Sequence, residues 1–309
     1  GFAGGLFAIN VPCEDVPGLA DFEVAMDAPP YDLPLPPPVA TGPAQAVALT
    51  MAGHLLGLAR DTPDDLRLCT TATDIEAAMA DGAIAAVMHM EGAEAIGPDL
   101  DALHAFHAMG LRSLGPVWSR PTLYGHGVPF RCPGDPDTGP GLTGAGKRLV
   151  AECHRLRILV DLSHLNAGGV DDIAAMAGGP LVATHSNAHA VTPSSRNLTD
   201  RQLDMIRDSD GMVGLNFATV FLNPDGRRDP STGWEPLLRH LDHLIGRLGE
   251  DRVGFGSDFD GAQVPDVLGD VAGLPHLLDA LAAHGYDRPL IEKLAHRNWI
   301  AALGRVWGA

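Results

Sequence analysis

The sequence predicts an α/β protein, a (β/α)8 TIM-like barrel whose first strand is not evident in the chain. Seven short apolar runs alternate with stretches whose apolar residues recur every three or four positions, which is the alternation of a parallel sheet covered by helices. Several of the runs end on a polar residue, namely Glu91, His164, His185 and Asp258, and such groups belong at the mouth of a barrel rather than in its core. No shift in composition divides the 309 residues, so a single barrel domain over 1–309 is expected.

The first run is GLFAINV (5–11), followed by helical patterns near 42–60 and 72–80 with only a weak strand, in DTPDDLRLCT, between them. Next come IAAVMHM (84–90), a helix over 99–110 and LRSLGPVW (111–118). RILVDLS (157–163), PLVATHS (180–186), GMVGLNFA (211–218) and RVGFGSD (252–258) complete the strands, with helices over 169–178, 198–208 and 234–249. Asp99 and Thr199 suit helix starts, and Gly110 and Gly249 suit helix ends. The tail, 288–308, reads as an amphipathic helix that closes the far side. A closed barrel of this class has eight strands, because a missing stave leaves an unpaired edge on both neighbours. The expectation is therefore that strand one lies before residue 1, so that the chain is N-terminally incomplete and the barrel is gapped beside GLFAINV.

Gly and Pro density over 119–146 predicts a loop above the mouth, in which Tyr124, His126 and Phe130 would cover a ligand. A second loop is expected over 223–233. The Pro-rich stretch 27–43 reads as a rigid surface excursion, or else as a wall of the substrate entrance or an oligomer contact.

A formal charge of −18, with lysine only at 147 and 293, argues against nucleic acid or an anionic lipid surface as partner. Apolar runs break well before the roughly 18 residues a membrane span requires, and the N-terminus has no basic segment of the signal-peptide kind. Cys13, Cys69, Cys132 and Cys153 lack Cys-x-x-Cys spacing and are expected to be isolated reduced thiols, which points to a cytoplasmic location.

Glu91 directly follows an apolar strand, where a buried carboxylate must meet a cation or water, and its two oxygens suit it to bridge two divalent ions. A surface or salt-bridge role is the other reading. His164 and His185 close successive strands 21 residues apart, so parallel pairing sets their ends side by side, and neutral imidazoles there suit Zn²⁺. Either one alone would read as a packed core histidine. Asp258, in GFGSDFDG, can take a proton from an attacking water and return it to a leaving amine, with Asp260 as an organiser of the loop. Asp161, three residues before His164, is placed to orient an imidazole. Arg196 offers paired donors that match a substrate carboxylate, although an arginine beside a helix cap has the same spacing. His89 shares its strand face with Glu91, while His189, His240, His243 and His296 fit solvated or helix-packing positions.

At these residues the chain resembles the membrane (renal) dipeptidase family, peptidases of the metal-dependent amidohydrolase class. The resemblance runs through GFAGGLFAINVPC, HMEGAEAIG, ILVDLSH, ATHSNAHAVTPSSRN and VGFGSDFDG, which is essentially the whole chain. It implies two zinc ions bridged by Glu91, the second held by His164 and His185. It also implies a dipeptide carboxylate gripped by Arg196, a proton handled by Asp258, and a homodimer. Two departures accompany it. No His-x-Asp closes a strand to hold the first ion, which leaves one ion or none as a further outcome, and Trp118 stands where the family has a histidine that stabilises the tetrahedral intermediate. A tryptophan N–H donates one hydrogen bond but carries no charge, and His126 nearby would have to compensate. The expected activity is dipeptide hydrolysis. Hydrolysis of another small amide, ester or lactone, or a metal-deficient binding protein, are the alternatives.

Overall fold

A computed structural model describes residues 2–12, 24–176 and 178–308. Its strands are β1 (Gly4–Asn10), β2 (Tyr31–Asp32), β3 (Leu66–Leu68), β4 (Ile84–Glu91), β5 (Leu111–Gly115), β6 (Arg131–Cys132), β7 (Leu159–Val160), β8 (Val182–Ala183), β9 (Met212–Leu215) and β10 (Val253–Phe255). Two parallel ladders, β1-β4-β5-β7 and β8-β9-β10, are joined by a bridge between Asp161 and Val182. The seven expected strands thus stand side by side in chain order, with helices in the connections, as in a wound α/β barrel. The weak strand of the sequence is β3. It pairs with β4 only at Ile84–Ala86, on the side that β5 occupies from Met88 onward, while β1 takes the whole opposite side. Among the described residues no ladder joins β1 to β10.

Several ladders are shorter than the apolar runs that encode them. RILVDLS contributes two ladder residues and PLVATHS two. Beyond the ladders, Asp161, Leu162 and Ser163 in the first run and Thr184, His185 and Ser186 in the second are still buried over the strand ends, tied by single bonds such as Leu162 N to Val182 O and Ser186 N to Gly214 O, whereas Arg157 at the start of the first run is exposed.

Helices pack one apolar face each against this sheet. Thr41–Asp61 buries Ala44, Ala48, Ala52 and Leu55, and Trp234–Leu248 buries Leu237, Leu241, Leu244 and Leu248, both at three-to-four spacing. Thr199 starts its helix with a reciprocal capping box to Gln202, as its position predicts. The tail is not one helix: a π turn at Lys293–Arg297 separates Arg288–Glu292 from Asn298–Trp307. No described helix is long and apolar enough to cross a membrane. Cys69, Cys132 and Cys153 are free and buried, and Cys13 lies outside the described residues.

Around the mouth, segments far apart in sequence are laced together. The Pro-rich stretch pairs antiparallel with the 119–146 loop through β2 and β6, so that loop is partly regular and the stretch forms part of its wall. Arg228 N donates to Met26 O at 2.8 Å and its Nε to Asp27 Oδ1 at 2.8 Å, while Asp266 N donates to Pro230 O at 2.7 Å. Deeper in, Arg120 donates through Nε and Nη2 to Glu94 Oε1 at 2.9 and 2.7 Å and through Nη2 to Val11 O at 2.9 Å, with both side chains 1% exposed. That pair clamps the end of β1 to the turn after β4. Arg120→Leu leaves a buried carboxylate unpaired, so the variant should lose about 3–5 kcal/mol of stability. Urea unfolding measures this, and a midpoint within error of the wild type would refute it.

Candidate metal centre

Glu91 is the last residue of β4, and Gly92, at φ 83°, turns the chain sharply back. A Cβ at Gly92 would stand 2.5 Å from Glu94 Oε2, so glycine is what the close turn requires. Glu91 Oε1 lies 3.1 Å from His164 Nε2 and 3.2 Å from His185 Nε2, and the two Nε2 atoms are 3.1 Å apart. Two ligands each about 2.0–2.1 Å from a tetrahedral zinc stand about 3.3 Å from one another. Two imidazole nitrogens and one carboxylate oxygen, nearly equidistant and on three different strand ends, therefore fit a divalent ion. Glu91 Oε2 is turned away and accepts from Asn10 Nδ2 at 2.9 Å. Asn10 pairs in register with Glu91 across β1 and β4; it is the strand-end residue that the sequence reading passed over.

Both histidines are buried, and His164 sits at φ 67°, an unusual backbone for a non-glycine residue that swings its ring toward the neighbouring strand end. Its Nδ1 faces Ser119 Oγ at 2.9 Å and accepts from Arg196 Nε at 3.2 Å. His185 Nδ1 lies 2.7 Å from Thr184 Oγ1, which donates to Asp161 Oδ2 at 2.6 Å. Asp161 thus reaches the imidazole of the next strand, not that of His164, its neighbour in sequence. Burial alone would raise the Glu91 carboxyl, but the hydrogen bonds and positive potential of the two histidines outweigh it and hold the group well below the usual range. Burial, reinforced by the Arg196 guanidinium, pushes His164 down to about 3. For His185, burial acts downward, yet its hydrogen bond to Glu91 prevails and the net shift is upward.

Asp258 follows β10 at φ 57° and is half-buried. Its Oδ2 accepts from Asn216 Nδ2 at 2.9 Å, and the Asn216 amide is fixed in orientation because its Oδ1 accepts from Ala218 N at 2.6 Å. Asp260 is exposed, in keeping with a loop role. Arg196 is 4% exposed, and its guanidinium is fixed beside the cluster by Ser186 Oγ at 2.9 Å and His185 O at 3.0 Å.

Trp118 is half-buried with its ring 5.6 Å from both His164 and Phe130, and Phe130 stacks on Phe221 at 6.1 Å, so an aromatic wall flanks the cluster. Tyr124 corrects an expectation: it is fully buried and its hydroxyl binds the carbonyls of Ile96 and Gly97 at 3.0 and 2.8 Å, making it an anchor of the loop and not part of an open ligand surface. His126 is half-buried and makes no hydrogen bond to the cluster among the described residues. His89 Nδ1 meets Ser113 Oγ at 2.8 Å beneath the site. The sequence His240-Leu241-Asp242 has His-x-Asp spacing but lies within a helix. His240 is buried against Ala188 and Thr192, and Asp242 binds His284 and Tyr286, away from the centre.

A parallel strand array with a histidine-carboxylate cluster at its C-terminal ends is the architecture of a metal-dependent hydrolase. Residues 4–309 match the sequence profile of membrane dipeptidase, peptidase family M19. A solved metallo peptidase from Rhodobacter sphaeroides, liganded with a phosphinate mimic of the dipeptide L-Ala-D-Ala, is 65% identical. Its match covers 99% of this chain and 88% of that one, with a TM-score of 0.97. An uncharacterized protein in the pqqA 5' region of Klebsiella pneumoniae is 51% identical over 78% of this chain and 89% of its own length. The probable dipeptidase PvdM from Pseudomonas aeruginosa, at 23% identity and a TM-score of 0.78 over 87% of this chain and 80% of that one, shares the fold. The chain belongs to the membrane dipeptidase family, peptidase family M19. It is a metal-dependent dipeptidase of that family.

Proposed function

We propose that the protein hydrolyses small dipeptides at a zinc centre held by Glu91, His164 and His185, with Arg196 receiving the dipeptide's carboxylate and Asp258 carrying the proton. The observation that carries this reading is the near-equal spacing of 3.1–3.2 Å among Glu91 Oε1, His164 Nε2 and His185 Nε2. The dipeptide mimic bound by the Rhodobacter sphaeroides peptidase supports a dipeptide as substrate.

A divalent ion in this setting supplies Lewis-acid polarisation of the scissile carbonyl and a more acidic water. What the chain's own residues contribute follows from their environments. Arg196 is pre-oriented by its bonds to Ser186 and His185, so ordering its long side chain for a carboxylate costs little further entropy. Asn216 occupies Asp258 Oδ2 and leaves Oδ1 as the oxygen available to take a proton and pass it to the departing nitrogen. Trp118 and Phe130 wall the site and limit water beside His164, which strengthens each charged contact within it.

The test combines metal content with turnover. After zinc loading, the protein should hold at least about one ion per chain and release free amino acids from a panel of dipeptides. Hydrolysis should vanish on chelation and return with zinc. Release from no dipeptide, with lactones or acylated amino acids cleaved instead, would defeat the dipeptidase reading. The three-residue cluster accounts for one ion, and the same stoichiometry tests the second ion of the family pattern.

A further inference from the structure

Thr184 stands between a buried carboxylate and one of the histidines, where a hydroxyl can transmit hydrogen-bond direction. Its Oγ1 is 2.6 Å from Asp161 Oδ2 and 2.7 Å from His185 Nδ1. Asp161 is 1% exposed, and its Oδ1 accepts the backbone N–H of Thr184 at 2.8 Å and of Ser163 at 3.0 Å. An ionised carboxylate only accepts, so the single hydroxyl proton of Thr184 goes to Oδ2. Oγ1 then faces His185 with lone pairs alone, and the ring must supply the proton from Nδ1. In the neutral ring that a bound metal would require, the lone pair is then on Nε2, the atom directed at Glu91 Oε1 and His164 Nε2.

The geometry points to Thr184 as a positioning residue that, together with Asp161, holds His185 in the tautomer and orientation a metal ligand needs. This rests on the reading of Glu91, His164 and His185 as a metal centre. Other groups near Asp161 do not take the relay's place. His89 Nε2 is 3.8 Å from Oδ2 and His185 Nδ1 is 3.9 Å away, both beyond hydrogen-bond reach. His164 has no such anchor, since its Nδ1 meets a serine hydroxyl and an arginine N–H, neither of which is a carboxylate.

Three variants separate the relay from mere packing. Thr184→Val keeps the branched shape and removes the hydroxyl, whereas Thr184→Ser keeps the hydroxyl. Asp161→Asn preserves the shape but reverses polarity. The new oxygen stays on the two backbone N–H groups, the new NH2 donates to Thr184 Oγ1, and the hydroxyl proton then turns to His185 Nδ1. Zinc affinity, measured by competition with a chromophoric chelator, should fall 10- to 100-fold in Thr184→Val and in Asp161→Asn, and stay within about threefold of the wild type in Thr184→Ser. Wild-type affinity in Asp161→Asn, or a serine variant as weak as the valine one, overturns the inference. Should Thr184→Val fail to give a native melting transition, the isosteric Asp161→Asn decides. A wild-type protein that takes up no zinc removes the metal reading and the relay with it. Wild-type uptake with an unaffected Asp161→Asn removes the relay alone.

Discussion

Replacement of Glu91 by glutamine is expected to lower kcat/KM on dipeptides by roughly 10³-fold or more, the equivalent of several kcal/mol of lost charge stabilisation, and to weaken zinc binding. The side chain keeps its shape, but the carboxylate is the only anion in a cluster whose other two members are neutral-type ligands. Glutamine can still accept from Asn10 through its one oxygen, or present that oxygen to the histidines, but not both. The fold should survive, because glutamine keeps the volume of the side chain and opens no cavity. Zinc content and steady-state kinetics on the same preparation check this. An active variant with full zinc occupancy would show that the charge of Glu91 is dispensable.

The second large effect is expected at Asp258. Asp258→Asn should reduce kcat by about 10²–10⁴-fold, the usual range for a lost proton carrier, with KM and zinc content little changed. The choice of asparagine matters, because residue 258 lies at φ 57° and asparagine is among the few residues that accept this backbone readily. Strain is thereby kept out of the comparison. Wild-type kcat would exclude proton transfer by Asp258, and loss of zinc with loss of rate would reassign it as a ligand.

Much of this site was legible in the sequence, for a physical reason that also marks the limit. Glu91, His164, His185 and Asp258 are polar residues ending apolar runs, and parallel pairing places such ends together whatever the length of each ladder. Asn10 ends a run in the same way, yet an uncharged amide costs less to bury than a carboxylate and so attracts less notice. Thr184 was illegible because threonine is an ordinary strand residue. Only the cross-strand placement that brings Asp161 beside it reveals a polar role. Asp161 was legible as a group placed to orient an imidazole, but which ring was not: it lies three residues from His164, yet its hydroxyl partner, which meets His185, lies 23 residues further on. Tyr124 failed differently: an aromatic in a Gly- and Pro-rich loop can face a ligand or pin the loop, and the carbonyls that bind its hydroxyl come from residues 96 and 97.

The laced rim of the mouth carries a consequence for how the molecule forms. Asp27 and Arg228 are 201 positions apart, and β2 and β6 are separated by about a hundred residues of chain. Closing such loops costs entropy that the few bonds at the rim cannot repay until the intervening strands have docked. The entrance is therefore among the last parts to assemble during folding, after the strand ends that carry Glu91, His164 and His185 have met. A chain arrested before that step would have its three ligands in place and nothing around them to choose what enters.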